Sequence, residues 1–231
     1  AGNAFAGISG STAYNFTTAA APDTTAPSVS FADDTPGTAS TSVTYTLSFS
    51  EVVTGLAIDD FTVTNGTVSS VSGSGASYSV VVAPSANTEG SMGLSLKAGA
   101  VTDAAANPNA LSPAPAQPID TLAPTAQSLN PADNASGVAI DANLVLSFSE
   151  AIQRGTGTIV LKTAGGATVA TYDAATSANL SLSGNTLTVN PSANLAYASG
   201  YYLEVGASAV RDLAGNAFAG ISGSTAYNFT T

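Results

Sequence analysis

The chain has 231 residues, enough for one or two domains with apolar cores, and its 15 acidic and 4 basic residues give a net charge of −11. This charge repels nucleic acids and anionic lipid surfaces, so neither is an expected partner, whereas it favours the binding of divalent cations. Because the chain contains no Cys and no His, thiolate and imidazole catalysis, disulfide bonds and most zinc sites are also excluded.

The first residues of the chain recur at its other end. Residues 1–18 and 214–231 share the sequence AGNAFAGISGSTAYNFTT without a change. Since residue 1 recurs at residue 214, the parent protein is predicted to be an array with a period of 213 residues. Residues 1–18 are then the last strand of a preceding repeat, and residues 19–22 are a linker. We expect this extra strand either to pair with a neighbouring copy of the protein by strand addition or to pack within a continuous array.

Two seams divide the repeat into domains. Both contain the pattern Asp-Thr-x-Ala-Pro, at residues 23–27 and 120–124. Proline fixes its own φ and restricts the residue before it, so the seams are predicted to be short, extended and stiff connectors. The predicted domains are residues 23–120 and residues 121–231.

Within each predicted domain, apolar residues alternate with polar ones, as in strands that have one buried face. Residues 43–50 and 144–148 show this alternation most clearly. Two-residue hairpin turns are predicted at Asn65-Gly66, Gly165-Gly166 and Gly184-Asn185. Further strands are predicted near residues 76–83, 92–97, 157–163, 167–172, 186–190, 200–205 and 226–231. Short strands at this spacing, without a helical stretch, predict an all-β fold of two tandem immunoglobulin-like β-sandwiches.

Both halves of the chain resemble Ig-like domains of large bacterial surface proteins. In the second half, LNPADNASGVAIDANLVLSFSEAI, LTVNPSANLAYASGYYLEV and AVRDLAGNAF resemble the bacterial Ig-like domain of S-layer-type proteins. In the first half, DTTAPSVSFADDTPGT, SFSEVVTGLAIDDFTVTNGTV and AGAVTDAAANPNA resemble the Ig-like repeats of giant adhesins of the repeats-in-toxin type. The resemblance covers residues 23–120 and essentially all of residues 121–231. It implies tandem extension, export to the cell surface and, in many relatives, calcium held near domain junctions.

Two acidic motifs occur once in each domain. Ser-Phe-Ser-Glu occupies residues 48–51 and 147–150, and Val-x-Asp-x-Ala-x-Asn occupies residues 101–107 and 210–216. Calcium takes six to eight oxygen ligands, which strand ends and loops can bring together. The predicted calcium ligands are therefore Glu51 with Asp103 and Glu150 with Asp212, each pair completed by a seam aspartate, Asp23 or Asp120.

A turn is the alternative interpretation of the second motif. Asp103 and Asp212 would then accept hydrogen bonds from backbone N–H groups of the following loop, as Asp does in Asx turns. Asn107 and Asn216 would also act through backbone turns. The residue types fit both interpretations, and both stay open at this point.

No pattern in the sequence indicates an active site. A pair of catalytic carboxylates needs a cleft, and no insertion is large enough to form one, so we expect no enzyme. No apolar run is long enough to span a membrane, so the chain is not expected to insert into one. No signal peptide opens the chain, and any export signal is expected outside these residues.

The tyrosines offer a different function. A stacking platform for sugars is one interpretation of Tyr14, Tyr197, Tyr201, Tyr202 and Tyr227. Strand alternation, however, places Tyr201 in the core and leaves Tyr202 exposed.

The expected function is a mechanical one. The chain is predicted to be a spacer repeat of an extracellular bacterial surface protein, an adhesin or a surface fibre, stiffened by calcium. Its expected partners are neighbouring repeats of the same chain or neighbouring copies of the protein. The alternatives are a module that binds carbohydrate or a host surface and a filament subunit assembled by strand addition.

Overall fold

The computed structural model describes residues 7–10 and 14–231. Over these residues the chain is built from antiparallel strands, and the one helix they contain is a 3₁₀ turn at Ile58–Asp60. The strands of the first half are β1 (Val29–Asp33), β2 (Val43–Val53), β3 (Phe61–Thr64), β4 (Gly66–Pro84), β5 (Glu89–Leu96), β6 (Ser112–Pro113) and β7 (Gln117–Asp120). Those of the second half are β8 (Ala126–Asn130), β9 (Leu144–Phe148), β10 (Ile152–Arg154), β11 (Thr158–Thr163), β12 (Thr168–Asp173), β13 (Leu180–Ser183), β14 (Thr186–Val189), β15 (Gly200–Val205), β16 (Val210–Asp212) and β17 (Asn228–Thr230). The prediction of an all-β fold is confirmed.

The first half is a sandwich of two sheets. One sheet has the strand order β1-β2-β4, and the other is built on β5, which pairs with β3, β6 and β7. Along β2, Val43, Tyr45, Leu47 and Phe49 are buried, whereas the residues between them face outward. The alternation predicted for this strand is confirmed, because each inward side chain packs against the facing sheet.

The second half forms a separate sandwich with its own core. Its sheets have the orders β13-β14-β9-β8 and β12-β11-β15-β17, and β10 pairs with β16 in a short ribbon. Leu144, Leu146 and Phe148 enter the core from the first sheet, and Leu161 and Leu203 enter it from the second. All five side chains are at most 1% exposed. Each half therefore has a sandwich core made of its own strands.

Two of the three predicted hairpins form, and one of them has the predicted two-residue turn. Gly184-Asn185 joins β13 directly to β14, as predicted, whereas Gly165-Gly166 lies within a longer turn, residues 164–167, between β11 and β12. The hairpin at Asn65-Gly66 is wrong, because β3 pairs with β5 while β4 pairs with β2 in the opposite sheet. Asn65 does turn the chain, with a φ of 55°, and its side chain donates to the Ser91 carbonyl at 2.8 Å. The sequence pattern identifies the turn but not the strands that the turned chain will meet.

The two copies of the repeated segment have different structures. In the second copy, β17 pairs with β15, and Tyr227 and Phe229 are 0% and 1% exposed. In the first copy, residues 7–10 and 14–18 form no strand, and Tyr14 and Phe16 are 77% and 79% exposed. This differs from the prediction of an extra N-terminal strand, whose remaining part, residues 1–6 and 11–13, lies outside the described residues. A strand needs a neighbour for its backbone groups, and the described residues of this copy bond to neither sandwich.

Candidate metal centres

Three carboxylates meet beside the first sandwich. Glu51 lies on β2, Asp103 lies in the loop after Val101, and Asp23 lies on the seam that leads into β1. One carboxylate oxygen of each residue lies within 4.8 Å of the other two. Asp103 is buried, Glu51 is half-buried and Asp23 is exposed. We call this cluster the first triad.

An equivalent cluster, the second triad, lies where the two sandwiches meet. Asp120 is the last residue of β7, Glu150 follows β9, and Asp212 ends β16. Their carboxylate oxygens also lie within 4.8 Å of one another, and Asp212 is only 1% exposed. Because Asp120 belongs to the first sandwich and the other two residues belong to the second, this triad joins the two domains. The structure thus places the six residues singled out in the sequence in two separate clusters of three.

The loops that present Asp103 and Asp212 are also Asx-type turns. Asp103 Oδ1 accepts hydrogen bonds from the backbone N–H groups of Ala105 and Asn107, both at 2.8 Å. Asp212 Oδ1 accepts one from the N–H of Asn216 at 2.8 Å. In each loop the asparagine amide donates to the second carboxylate oxygen at 2.7 Å. The turn geometry therefore coexists with the clustering of the carboxylates, since it fixes the orientation of the buried aspartate.

The same two asparagines hold the seams in place, a role that the sequence reasoning missed. The side-chain amide of Asn107 donates to the carbonyl of Asp23 at 3.2 Å, and that of Asn216 donates to the carbonyl of Asp120 at 2.9 Å. Each amide thus bridges the loop aspartate and the seam aspartate of one triad. The recurrence of Asn at the last position of both motifs marks this residue as structurally important, but it does not identify the seam as its partner.

The serine before each triad glutamate also fixes a seam. Ser50 Oγ accepts the N–H of Ser28 at 3.0 Å, and Ser149 Oγ accepts the N–H of Thr125 at 3.0 Å. In return, the backbone N–H of each motif serine donates to the carbonyl of the same seam residue at 2.9 Å. The Ser-Glu pair therefore positions the seam with one residue and presents a carboxylate with the next.

No basic side chain among the described residues compensates the charge of either triad, since the one ion pair they form joins Lys162 to Glu204. Burial, followed by the charges of Asp212, Asp120 and Glu89, raises the pKa of Glu150 to about 7. Burial and the charges of Asp103 and Asp23 likewise raise the pKa of Glu51.

The pKa of Asp103, the buried neighbour of Glu51, is shifted in the opposite direction. The hydrogen bond from the Asn107 side chain is the main reason that the pKa of Asp103 is lowered. The first triad therefore combines an aspartate whose pKa is lowered with a glutamate whose pKa is raised. A bound divalent cation would offset both the burial and the neighbouring negative charges that raise the pKa of Glu51.

The tyrosines do not form a shared platform. Tyr201, Tyr202 and Tyr227 are buried, at 5%, 7% and 0% exposure. The expectation that Tyr202 is exposed is wrong, because β17 pairs alongside it and the Lys162 ammonium lies 5.8 Å from its ring centroid. Burial therefore removes three of the five rings from any stacking surface.

Comparison with known proteins identifies both sandwiches. A family model described as a bacterial Ig-like domain matches residues 120–231, and a second model of the same description matches residues 23–116. The chain is a tandem pair of bacterial Ig-like domains. Ig-like domains of this kind are typical of surface proteins and are typically non-enzymatic, so the chain is a domain pair of surface-protein type. No helix of the described residues is long and apolar enough to cross a bilayer.

Two solved structures show similarity to these Ig-like domains. The adhesin InvE of Yersinia pseudotuberculosis has 13% identity and a TM-score of 0.30, with 83% of this chain and 56% of that chain covered. The full ectodomain of mouse nectin-like molecule 4 has 12% identity and a TM-score of 0.26, with 84% of this chain and 64% of that chain covered. The chain thus spans less than two thirds of the length of either structure. No curated protein matches the sequence.

The raised pKa of Glu150 makes the second Ig-like domain sensitive to pH when divalent cations are removed. The pKa of the Glu150 carboxyl rises from 4.5 to about 7 on folding, so folding favours its protonated form. The stability that this carboxyl contributes is therefore fully present below pH 4.5 and is lost as the pH rises through 7. After allowance for solvent screening, we expect a loss on the order of 1 kcal/mol between pH 5 and pH 8. Urea unfolding in chelator measures this, and Glu150→Gln should flatten the dependence. An equal loss in the variant would contradict the assignment.

The loop of the first Ig-like domain carries a strained alanine. Ala106 has a φ of 69°, and the equivalent position of the second domain is Gly215, with a φ of 96°. Because a positive φ is strained for a residue with a Cβ, Ala106→Gly should stabilise the first domain by about 0.5 kcal/mol. Gly215→Ala should destabilise the second domain by about 1 kcal/mol. No atom lies near enough to obstruct the added Cβ, so this cost comes from the positive φ of the backbone alone. Thermal unfolding measures both, and a destabilised Ala106→Gly variant would be the contrary result.

Proposed function

We propose that these Ig-like domains are a structural spacer repeat of an extracellular bacterial surface protein, an adhesin or surface fibre, and that calcium stiffens their junctions. The observation that supports this most directly is the composition of the second triad. Asp120 belongs to the last strand of one domain, whereas Glu150 and Asp212 belong to the next. A cation held by all three would couple the orientation of the two domains.

The residues of the triads suit calcium. Each triad offers three carboxylates, and calcium prefers hard oxygen ligands, with backbone carbonyls and water able to complete its coordination. The absence of Cys and His from the chain leaves no soft or imidazole ligands that would favour zinc or copper. Asp120, Glu150 and Asp212 would hold one ion, and Asp23, Glu51 and Asp103 would hold another. The ion would offset the burial and the repulsion between carboxylates, which together raise the pKa values of the two glutamates.

The two triads indicate a junction that is used repeatedly. In both, the seam aspartate is tied to the loop asparagine, and the residue just after the seam's Pro is tied to the serine before the glutamate. The partner of such a junction is a neighbouring repeat of the same chain. A spacer built in this way holds its distal part away from the cell at a defined angle at each seam.

The distance between the two domains provides a direct test. The chain has no Cys, so Leu111→Cys and Val169→Cys, at positions 63% and 45% exposed, would carry one spin label on each domain. We expect calcium to narrow the distribution of label distances and a chelator to broaden it. Asp120→Asn should abolish the narrowing, whereas Asp141→Asn, at an exposed acidic residue outside both triads, should leave it intact. A distribution that calcium does not change would refute the proposal.

A further inference from the structure

We propose that residues 14–18 of one copy of the chain complete the second Ig-like domain of another copy, in place of residues 227–231, when that resident segment is weakened or displaced. Both segments have the sequence Tyr-Asn-Phe-Thr-Thr. Tyr227 and Phe229 are buried in the second domain, whereas Tyr14 and Phe16, their counterparts, are more than three quarters exposed. The chain therefore displays a second copy of a strand whose binding groove it also contains. This inference applies to a chain whose residues 1–18 are not packed in a preceding repeat, and it does not depend on calcium.

One side of the groove is strand β15. Phe229 lies opposite Tyr201 in the antiparallel ladder, and their rings stack with centroids 5.8 Å apart. The N–H of Leu203 donates to the carbonyl of Tyr227 at 3.0 Å. The groove thus recognises an aromatic residue at two alternate positions, and Tyr14 and Phe16 have this spacing.

The other side of the groove is the loop after β8. The N–H of Thr230 donates to the carbonyl of Ala135 at 2.8 Å, and the N–H of Asn134 donates to the carbonyl of Asn228 at 2.8 Å. Asp133 Oδ1 accepts the N–H of Asn228 at 2.9 Å and its side-chain amide at 3.1 Å. Asn15 and Thr17 supply the same groups in the first copy of the segment. An incoming segment would therefore be bonded along both of its edges, which fixes its register.

The repeated segment offers one more contact before these aromatic residues. Ile221 exchanges two backbone hydrogen bonds of 2.9 Å with Val205. Its counterpart Ile8 is 60% exposed. A docked first copy would therefore gain backbone bonds on both sides of its aromatic pair, and the recognised surface extends beyond residues 14–18.

Residues 14–18 of another copy must compete for the groove with residues 227–231, which already occupy it, and this competition determines when the two segments exchange. The two segments are identical, so each binds the groove equally well, but the resident strand is tethered to its own domain at an effective concentration in the millimolar range. At micromolar protein, the chain is therefore expected to remain monomeric. Exchange appears when the resident strand is weakened, and the head-to-tail contact then extends from copy to copy, as in a domain swap.

Variants of the 231-residue chain, measured in chelator, test the proposal. Tyr227→Ala with Phe229→Ala weakens the resident strand and leaves the first copy intact. We expect this double variant to form head-to-tail oligomers in analytical ultracentrifugation and the melting temperature of its second domain to rise with protein concentration. Adding Tyr14→Ala and Phe16→Ala should return the protein to a monomer whose melting temperature does not depend on concentration.

Three outcomes would overturn the proposal. The first is a monomeric Tyr227→Ala, Phe229→Ala variant that melts like the quadruple variant. The second is equal aggregation of the double and quadruple variants, which would show that the contact does not use Tyr14 and Phe16. The third is a monomeric double variant whose second domain is more stable than that of the quadruple variant, which would show that residues 14–18 bind the second domain of their own chain. Tyr14→Ala with Phe16→Ala alone should leave both domains folded and monomeric.

Discussion

Calcium is expected to raise the melting temperature of both Ig-like domains by about 10 °C or more. A ligand that binds only the folded state stabilises it by about 2.7 kcal/mol when its free concentration is roughly a hundredfold above Kd. In a domain of this size, about 1 kcal/mol shifts the melting temperature by about 4–8 °C. The effect should be large here because the ion would also remove the repulsion between three carboxylates that have no basic partner in the part of the chain that the structure describes. Calorimetry with excess calcium and with chelator measures it.

The glutamates provide the cleanest variants for this experiment. Glu51 and Glu150 accept no hydrogen bond from the described residues, so their replacement by Gln leaves the loop turns intact. Glu51→Gln should remove the calcium shift of the first domain only, and Glu150→Gln should remove that of the second only. Asp141→Asn should preserve both shifts. A shift that persists in both glutamine variants would place the ion elsewhere, and no shift in the native protein would leave the triads as turn chemistry.

Replacing Phe148 by Ala should destabilise the second domain by about 3–5 kcal/mol. The Phe148 side chain is 1% exposed and meets Phe218 edge to face, with ring centroids 5.1 Å apart. Its removal leaves a cavity between the two sheets, and the cost is a large part of the total stability of a small domain. The upper estimate corresponds to a melting temperature lowered by about 20 °C or more. Calorimetry of the full chain measures the change.

The matched variants assign the two unfolding transitions to the two domains. Phe148→Leu should cost less than Phe148→Ala, because it preserves most of the side-chain volume. Phe49→Ala removes the equivalent residue of the first domain, which lies edge to face with Tyr78 at 5.9 Å. It should lower only the transition of that domain. If either alanine variant lowers both transitions equally, the sandwiches unfold as one cooperative unit.

The fold was largely predictable because strand patterning is local. Val43, Tyr45, Leu47 and Phe49 are buried as their spacing indicates, since side chains alternate across a sheet whatever its partners are. The path that the chain takes between the two sheets could not be predicted from local sequence patterning. Asn65-Gly66 has the composition of a hairpin, yet the strands that it joins are in opposite sheets.

The candidate triads were predictable for a different reason. The same two acidic motifs occur in each domain, and their recurrence singled out the six carboxylates that the structure brings together. The bonds of Ser50 and Asn107 to the seam were not predictable, because they depend on the path of residues far away in the sequence. The repeated segment shows the limit most clearly, since identical residues are buried in one copy and exposed in the other.

The position of Asp120 determines how the junction responds to pulling. Asp120 pairs with Glu89 in the ladder of the first domain, and its carbonyl accepts the Asn216 amide of the second. Ser40 of the first domain adds a bond of 2.8 Å to the carbonyl of Ala214. Asp120 belongs both to the ladder and to the contact with Asn216, so in the proposed spacer tension would reach the loop of the second sandwich directly at the end of β7. In the proposed spacer, the seam would therefore transmit load as a continuation of the first sandwich and would not act as a loose tether that lengthens first.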